Sequence, residues 1–239
     1  MESLCALCNK RSELLRSHVI PEFLFRPLYD EKHRYSVLSV EIETQRFAQR
    51  GLTERLLCWE CEQRLSRYEK YAAEFMTGRL GHRFVRQGSK LAIKGLDYHK
   101  FKLFLMSVLW RASVSRLAFF RLVSLGPREQ LLRQFLLADD PGMPDEFGCV
   151  VVHVHDGGQV LADTMFNPEP MRWAGHRMCK FFFGGASWLF QCDQQRPPAH
   201  LQKFFLQTDG TLLTMHGDFA ESQSQLRTAK HYARRAGFI

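Results

Sequence analysis

Three things are scarce in this sequence, and each scarcity narrows what the chain can be. Long apolar runs are missing: the most apolar stretch, Leu103 to Leu125, is interrupted by Arg111, Arg116 and Arg121. Its charge-free runs fall well short of the roughly 18 to 20 residues that a membrane-spanning helix needs, so no membrane partner is expected. No N-terminal stretch joins a basic start, an apolar run and a small-residue cleavage site, and the expected location is therefore the cytoplasm. Internal repeats and low-complexity tracts are also missing, which sets aside solenoids and disordered tails. Acidic residues are scarce in one half only. Residues 1–126 carry 22 Lys and Arg against 13 Asp and Glu, whereas residues 127–239 carry 11 against 12. The whole formal charge of +8 therefore resides in the first half, as expected where that half faces nucleic acid or another polyanion; a merely solubilising surface would have the same composition.

What is present suffices for real cores, since 45% of the 239 residues are apolar and 13% aromatic. PEFLFRPLY reads as a short apolar turn or helix, and RYSVLSVEIETQRF alternates like a strand or hairpin. From Trp59 the spacing turns helical, with Leu65, Tyr68, Ala72 and Phe75 on one stripe and Gly78 as its stop. Val85 to Leu96 is basic and contains two glycines, so it reads as a linker or an edge hairpin. Asp97 then N-caps a long helix whose apolar positions run from Phe101 to Val123, and Arg128 to Leu137 forms a second helix. These helices serve either as a spine joining two halves or as the surface of a homo-oligomer. From Phe147 the pattern changes to roughly five or six antiparallel strands, and a polar helix, Glu221 to Ala236, closes the chain. The expected fold is α+β: a treble-clef-like four-cysteine finger over residues 1–84, a helical spine over 97–138, and an antiparallel α+β domain over 147–239.

Seven cysteines would suit a disulfide framework in a secreted protein, but four of them form two Cys-x-x-Cys pairs and three, Cys149, Cys179 and Cys192, stand alone. A tetrahedral zinc ion needs four soft ligands, and each Cys-x-x-Cys turn delivers two sulfurs to one ion. Cys5, Cys8, Cys58 and Cys61 meet that need as a structural Zn2+ site. A thioredoxin-like redox pair would need only one such motif, placed after an apolar parallel strand.

The run CALC, SHVIP, LLCWEC resembles the zinc-containing subset of His-Asn-His endonucleases. The resemblance covers residues 1 to about 75 and implies a ββα-metal nuclease site bracketed by the two cysteine pairs. It places His18 at the general-base position and Pro21 in the turn. Ser17 stands where that family has a ligand Asp, Glu62 where it has a closing His, and no Asn occurs between His18 and Cys61. Glu62, with Glu69 two helical turns on, would then bind Mg2+ or Mn2+ as an altered site. Equally, a Glu in the first turn of a helix can simply favour the helix dipole.

A second candidate site lies in the strand-rich half. Strand periodicity puts His153 and His155 on one face of VVVHVHD, Arg172, His176 and Lys180 on one face of MRWAGHRMCK, and His216 on TLLTMHGD. Metal-free RNA cleavage needs a base for the 2'-hydroxyl, an acid for the leaving oxygen and a cation for the crowded phosphate, and these residue types fit. A solvated sheet face carries such residues with no function at all. The whole layout also resembles bacterial phage-defence proteins described as zinc-finger ribonucleases, which implies an RNase kept silent until a phage protein engages it. Three readings follow: a zinc-finger ribonuclease acting on RNA, a metal-dependent DNA endonuclease using His18 and Glu62, and a non-catalytic nucleic-acid or partner-binding protein.

Overall fold

A computed structural model describes residues 2–39, 42–88, 90–156 and 159–218. The closing helix expected at Glu221 to Ala236 lies outside the described residues. The first cysteine pair occupies the turn between β1 (Ser3–Leu4) and β2 (Arg11–Ser12). There Asn9, at φ 59°, lets the chain double back so that its N–H reaches the Cys5 carbonyl at 2.9 Å. Strand β3 (Leu15–His18) follows, then two 3-10 turns over Glu22–Leu24 and Arg26–Leu28, and a hairpin of β4 (Tyr35–Ser39) with β5 (Ile42–Ala48). Strand β6 (Thr53–Leu57) returns antiparallel to β3 and delivers Cys58 as the N-cap of α1 (Trp59–Met76). Cys61, Leu65, Tyr68 and Ala72 are the buried stripe of α1, at the spacing the sequence predicts. Knuckle, hairpin and helix together make the treble-clef-like finger.

The basic segment after α1 is the edge hairpin rather than a linker. β7 (Arg83–Gln87) and β8 (Lys90–Lys94) form one side of the main sheet, far in sequence from the other strands. After α2 (Tyr98–Val114) and α3 (Arg128–Ala138) come β9 (Cys149–Asp156), β10 (Gln159–Val160), β11 (Phe166–Trp173), β12 (His176–Phe183), β13 (Ala186–Gln191), the short α4 (Ala199–Gln202) and β14 (Leu212–Asp218). The order across the sheet is β11-β12-β13-β9-β14-β8-β7, with β10 on the end of β9. Every pair is antiparallel except β14 and β9. The expected all-antiparallel sheet is corrected at that one place. β14 arrives by a crossover through α4, slots between β9 and β8, and lies antiparallel to β8, which leaves it parallel to β9.

Helix α2 is not the one-sided stripe that its sequence suggests, because every residue from Phe101 to Ala112 is buried. It starts as expected, with Asp97 accepting from the Lys100 N–H at 3.0 Å. It stops at Val114, nine residues before the expected end at Val123. The Glu54 carboxylate draws the chain out of the helix there, accepting from the Ser115 hydroxyl at 2.8 Å and the Arg116 N–H at 2.9 Å. One face of the sheet, through Cys149, Val151, Phe181, Phe183 and Phe190, shares a single apolar core with α2 and with Leu7, Leu57 and Leu65 of the finger. The other face carries Val150, Met178 and Leu189, packed on Phe204 and Phe205.

Two cations are buried inside α2 and must find partners there. Lys102 Nζ donates to the Pro144 and Phe147 carbonyls at 3.1 and 3.4 Å, and burial pulls it down to about 8. Arg111 joins three parts of the chain: Nη1 lies 2.6 Å from the His18 carbonyl and 2.6 Å from Glu69 Oε1, and Nε donates to the Ser107 carbonyl. Removing a buried charge partner costs about 3 to 5 kcal/mol. Arg111→Met is expected to lose about 3 kcal/mol, since Glu69 keeps 22% of its side chain in solvent and is only partly stranded. Urea unfolding followed by circular dichroism checks this, with a midpoint lowered at constant slope as the expected result.

Candidate functional site

The four finger cysteines converge. Their Sγ atoms all lie within 4.8 Å of one another, and Cys8 and Cys58 are 3.7 Å apart. Four thiolates at the Zn–S distance of about 2.3 Å stand roughly 3.8 Å apart along the edges of a tetrahedron, so the spacing suits such an ion. Local folding produces it. The Ala6 N–H bonds to the Leu56 carbonyl at 2.9 Å, tying the first knuckle to the strand that leads into the second. The Cys58 N–H donates to Cys5 Sγ at 3.3 Å. Cys5, Cys58 and Cys61 are buried and Cys8 is half-buried.

The electrostatics of the four sulfurs are uneven. The Cys61 thiol, bonded to Cys5, holds Cys5 down to about 4 against the opposing effect of burial. Burial pushes Cys58 up to about 11, and the bond to Cys5 together with burial pushes Cys61 far above its ordinary range. Without an ion these shifts favour the thiolate at Cys5 and the thiol at Cys58 and Cys61; a divalent cation would compensate the added negative charge and displace the thiol protons. The cluster can hold a metal ion, as in a zinc finger. Among the described residues, no other group of three or more His, Cys, Asp or Glu is close enough to do so.

The other finger residues singled out by sequence take separate partners. Glu62 Oε2 accepts from the Ser17 hydroxyl at 2.7 Å. Glu69 pairs with Arg111. His18 Nε2 lies 2.9 Å from Glu22 Oε2, and the Tyr29 hydroxyl donates to the other oxygen of Glu22 at 2.7 Å. Glu22 and Tyr29 were not signalled by the resemblance, although Glu22 falls one helical turn after His18.

In the sheet, register decides which histidines meet. His216 on β14 stands opposite His153 on β9, with His155 two residues along. His155 Nε2 and His216 Nδ1 are 3.0 Å apart, and either can be the donor depending on tautomer. The His216 ring lies 5.3 Å from that of His155 and 5.4 Å from that of His153. Burial, then the charge of His155, then that of Arg86 on β7 hold His216 below its ordinary value. Arg86 was missed by the sequence reading, which saw its segment only as generally basic; the strand register Arg86–Leu91–Thr214 places it on the His216 face.

His176, Lys180 and Arg172 do not join this cluster. The sequence places all three on one strand face, but Ala174 and Gly175, at φ 48° and 86°, make a turn there. Arg172 sits on β11 opposite Arg177, while His176 and Lys180 point to the sheet face opposite that of His153. His176 is buried with Nδ1 3.3 Å from Asp193 Oδ1, and Lys180 is paired with Glu169.

His153 supplies a pH prediction. Burial, then the charges of His216 and His155, lower it from 6.5 to about 4, and its Nε2 is shielded without a hydrogen-bond partner among the described residues. A lowered histidine favours the neutral folded form, so its contribution is complete above pH 6.5 and is lost as pH falls toward 4. His153→Leu is expected to flatten the fall in thermal stability between those values, measured by melting temperature against pH.

No described helix is long and apolar enough to cross a membrane. No protein-family model, no curated protein and no solved structure matches this chain.

Proposed function

We propose that this chain is a zinc-stapled ribonuclease whose chemistry resides in the histidine cluster of the sheet and needs no catalytic metal. The observation that carries this reading is the His155–His216 contact at 3.0 Å, with His153 and Arg86 on the same sheet face. In such a pair one ring can be protonated and the other neutral; once RNA entering between them breaks their hydrogen bond, the neutral ring has a free nitrogen to act as base and the imidazolium can act as acid. The base takes the 2'-hydroxyl proton, the 2'-oxygen attacks phosphorus, and the leaving 5'-oxygen receives the proton of the acid. A 2',3'-cyclic phosphate results, and Arg86 balances the charge that builds on the phosphoryl oxygens. The four thiolates would hold Zn2+ as a folding device that takes no part in this step. The resemblance to phage-defence proteins adds an effector held silent in the cytoplasm until a phage component engages it.

The test is cleavage of an end-labelled RNA and of the same sequence with 2'-deoxy sugars, each with brief EDTA or with magnesium. RNA cut equally under both conditions, with the 2'-deoxy strand intact, is the expected result. Cutting of DNA that depends on Mg2+ or Mn2+ would instead place the chemistry at His18 and Glu62. Salt-dependent binding without turnover would leave a non-catalytic module.

A further inference from the structure

Most large apolar side chains of the finger are inside, but three sit in the open beside the four-cysteine cluster. Trp59 is 61% exposed, Leu4 59% and Leu15 36%. Leu4 directly precedes Cys5, and Trp59 directly follows Cys58 as the first residue of α1. Leu15 stands opposite Leu57, the residue before Cys58. A register shift at Leu15 and Arg16 turns both outward.

Cations are interleaved with this apolar strip. Arg11 is the cross-strand partner of Leu4. Lys10 lies within electrostatic reach of Glu60, the neighbour of Trp59. Lys10, Arg11 and Arg16 are all exposed, against Glu13 and Glu60. The N-terminus of α1 is itself a poor phosphate seat, because Glu60 and Glu62 occupy its first turn. A flat exposed indole with cations around it matches the chemistry of unpaired bases on a phosphate backbone. Duplex RNA keeps its bases stacked inside and offers none to such a ring.

We propose that Trp59, Leu4 and the cations Lys10, Arg11 and Arg16 form a platform on which bases of single-stranded RNA stack beside the four-cysteine cluster. The proposal rests on the ribonuclease reading only for the choice of RNA, and its test is independent of cleavage. Fluorescence anisotropy with a labelled single-stranded 2'-O-methyl oligonucleotide reads binding to a strand that has no free 2'-hydroxyl to attack. Trp59→Ala is expected to weaken binding about 5- to 150-fold, the range for one lost base–aromatic stack. Trp59→Phe should keep most of the affinity, with metal content and circular dichroism unchanged in both. Replacing Lys10, Arg11 and Arg16 with Gln should lower the slope of log affinity against log salt by about 2, at roughly 0.7 per phosphate.

Wild-type affinity in Trp59→Ala would overturn the platform, as would equal loss on duplex and single strand, or an apolar strip that captures a protein and no oligonucleotide. Trp59-dependent binding without cleavage of ordinary RNA would remove the ribonuclease reading and leave the platform standing. Cleavage with an unchanged KM in Trp59→Ala would do the reverse.

Discussion

Cys58→Ser is expected to abolish tight metal binding and to unfold the finger, with loss of soluble protein. Structural zinc contributes on the order of 10 kcal/mol to a small module, comparable with the 5 to 15 kcal/mol that stabilises an ordinary domain. The geometry says why one ligand matters so much. Cys58 is at once a ligand candidate, the N-cap of α1 and the donor of the N–H that reaches Cys5 Sγ. Losing the ion leaves thiols buried against one another, with Leu7, Leu57 and Leu65 no longer held in place. Those side chains belong to the same core as α2 and the sheet, so the damage should spread beyond the finger, which is why soluble protein is lost. Cys149→Ser is the control: Cys149 is buried in the sheet, away from the four-sulfur group, and the metal content should stay at that of the unaltered chain.

His216→Ala is expected to lower RNA cleavage by about 10²- to 10⁴-fold, the usual worth of one general acid or base. His155→Ala should fall in the same range, because each imidazole is the hydrogen-bond partner of the other. His176→Ala should leave the rate within about twofold of wild type and act on stability instead, since its partner is Asp193 on the opposite side of the sheet. The pH profile follows from the downward shift of His216. A group titrating below 6.5 becomes neutral, and able to act as base, at lower pH than a free histidine. The acid limb of the activity profile should therefore lie below that expected of a free histidine, and Arg86→Gln, which removes one positive neighbour, should move that limb upward. Initial rates across pH 4.5 to 8 check both statements; an unmoved limb would separate Arg86 from the site.

The finger was legible because its signal is covalent spacing. Two Cys-x-x-Cys turns, one of them opening a helix with a four-residue apolar repeat, leave little freedom in where the sulfurs go. The starts of the two helices, at Asp97 and Arg128, were legible, but the end of the first and its surroundings were not. The sequence shows an apolar stripe, yet Lys102 and Arg111 are buried as well and satisfied by carbonyls and Glu69 from segments far along the chain. No local pattern encodes such partners. The histidine cluster was half legible for a similar reason. Alternation within β9 fixes His153 and His155 on one face, but the meeting with His216 depends on β14 lying parallel beside β9, a crossover that periodicity does not specify. Arg172, His176 and Lys180 were grouped because MRWAGHRMCK alternates without a proline or Asn-Gly break; the turn at Ala174–Gly175 uses an alanine at positive φ, which composition alone does not announce.

The claim on which the rest stands is that Cys5, Cys8, Cys58 and Cys61 enclose one zinc ion. X-ray absorption at the zinc edge of the purified protein, with elemental analysis of the same sample, tests it most directly. The account predicts one zinc per chain with four sulfur neighbours at about 2.3 Å. Protein that is folded without tightly held metal, or a zinc shell containing nitrogen or oxygen in place of any of the four sulfurs, would contradict it.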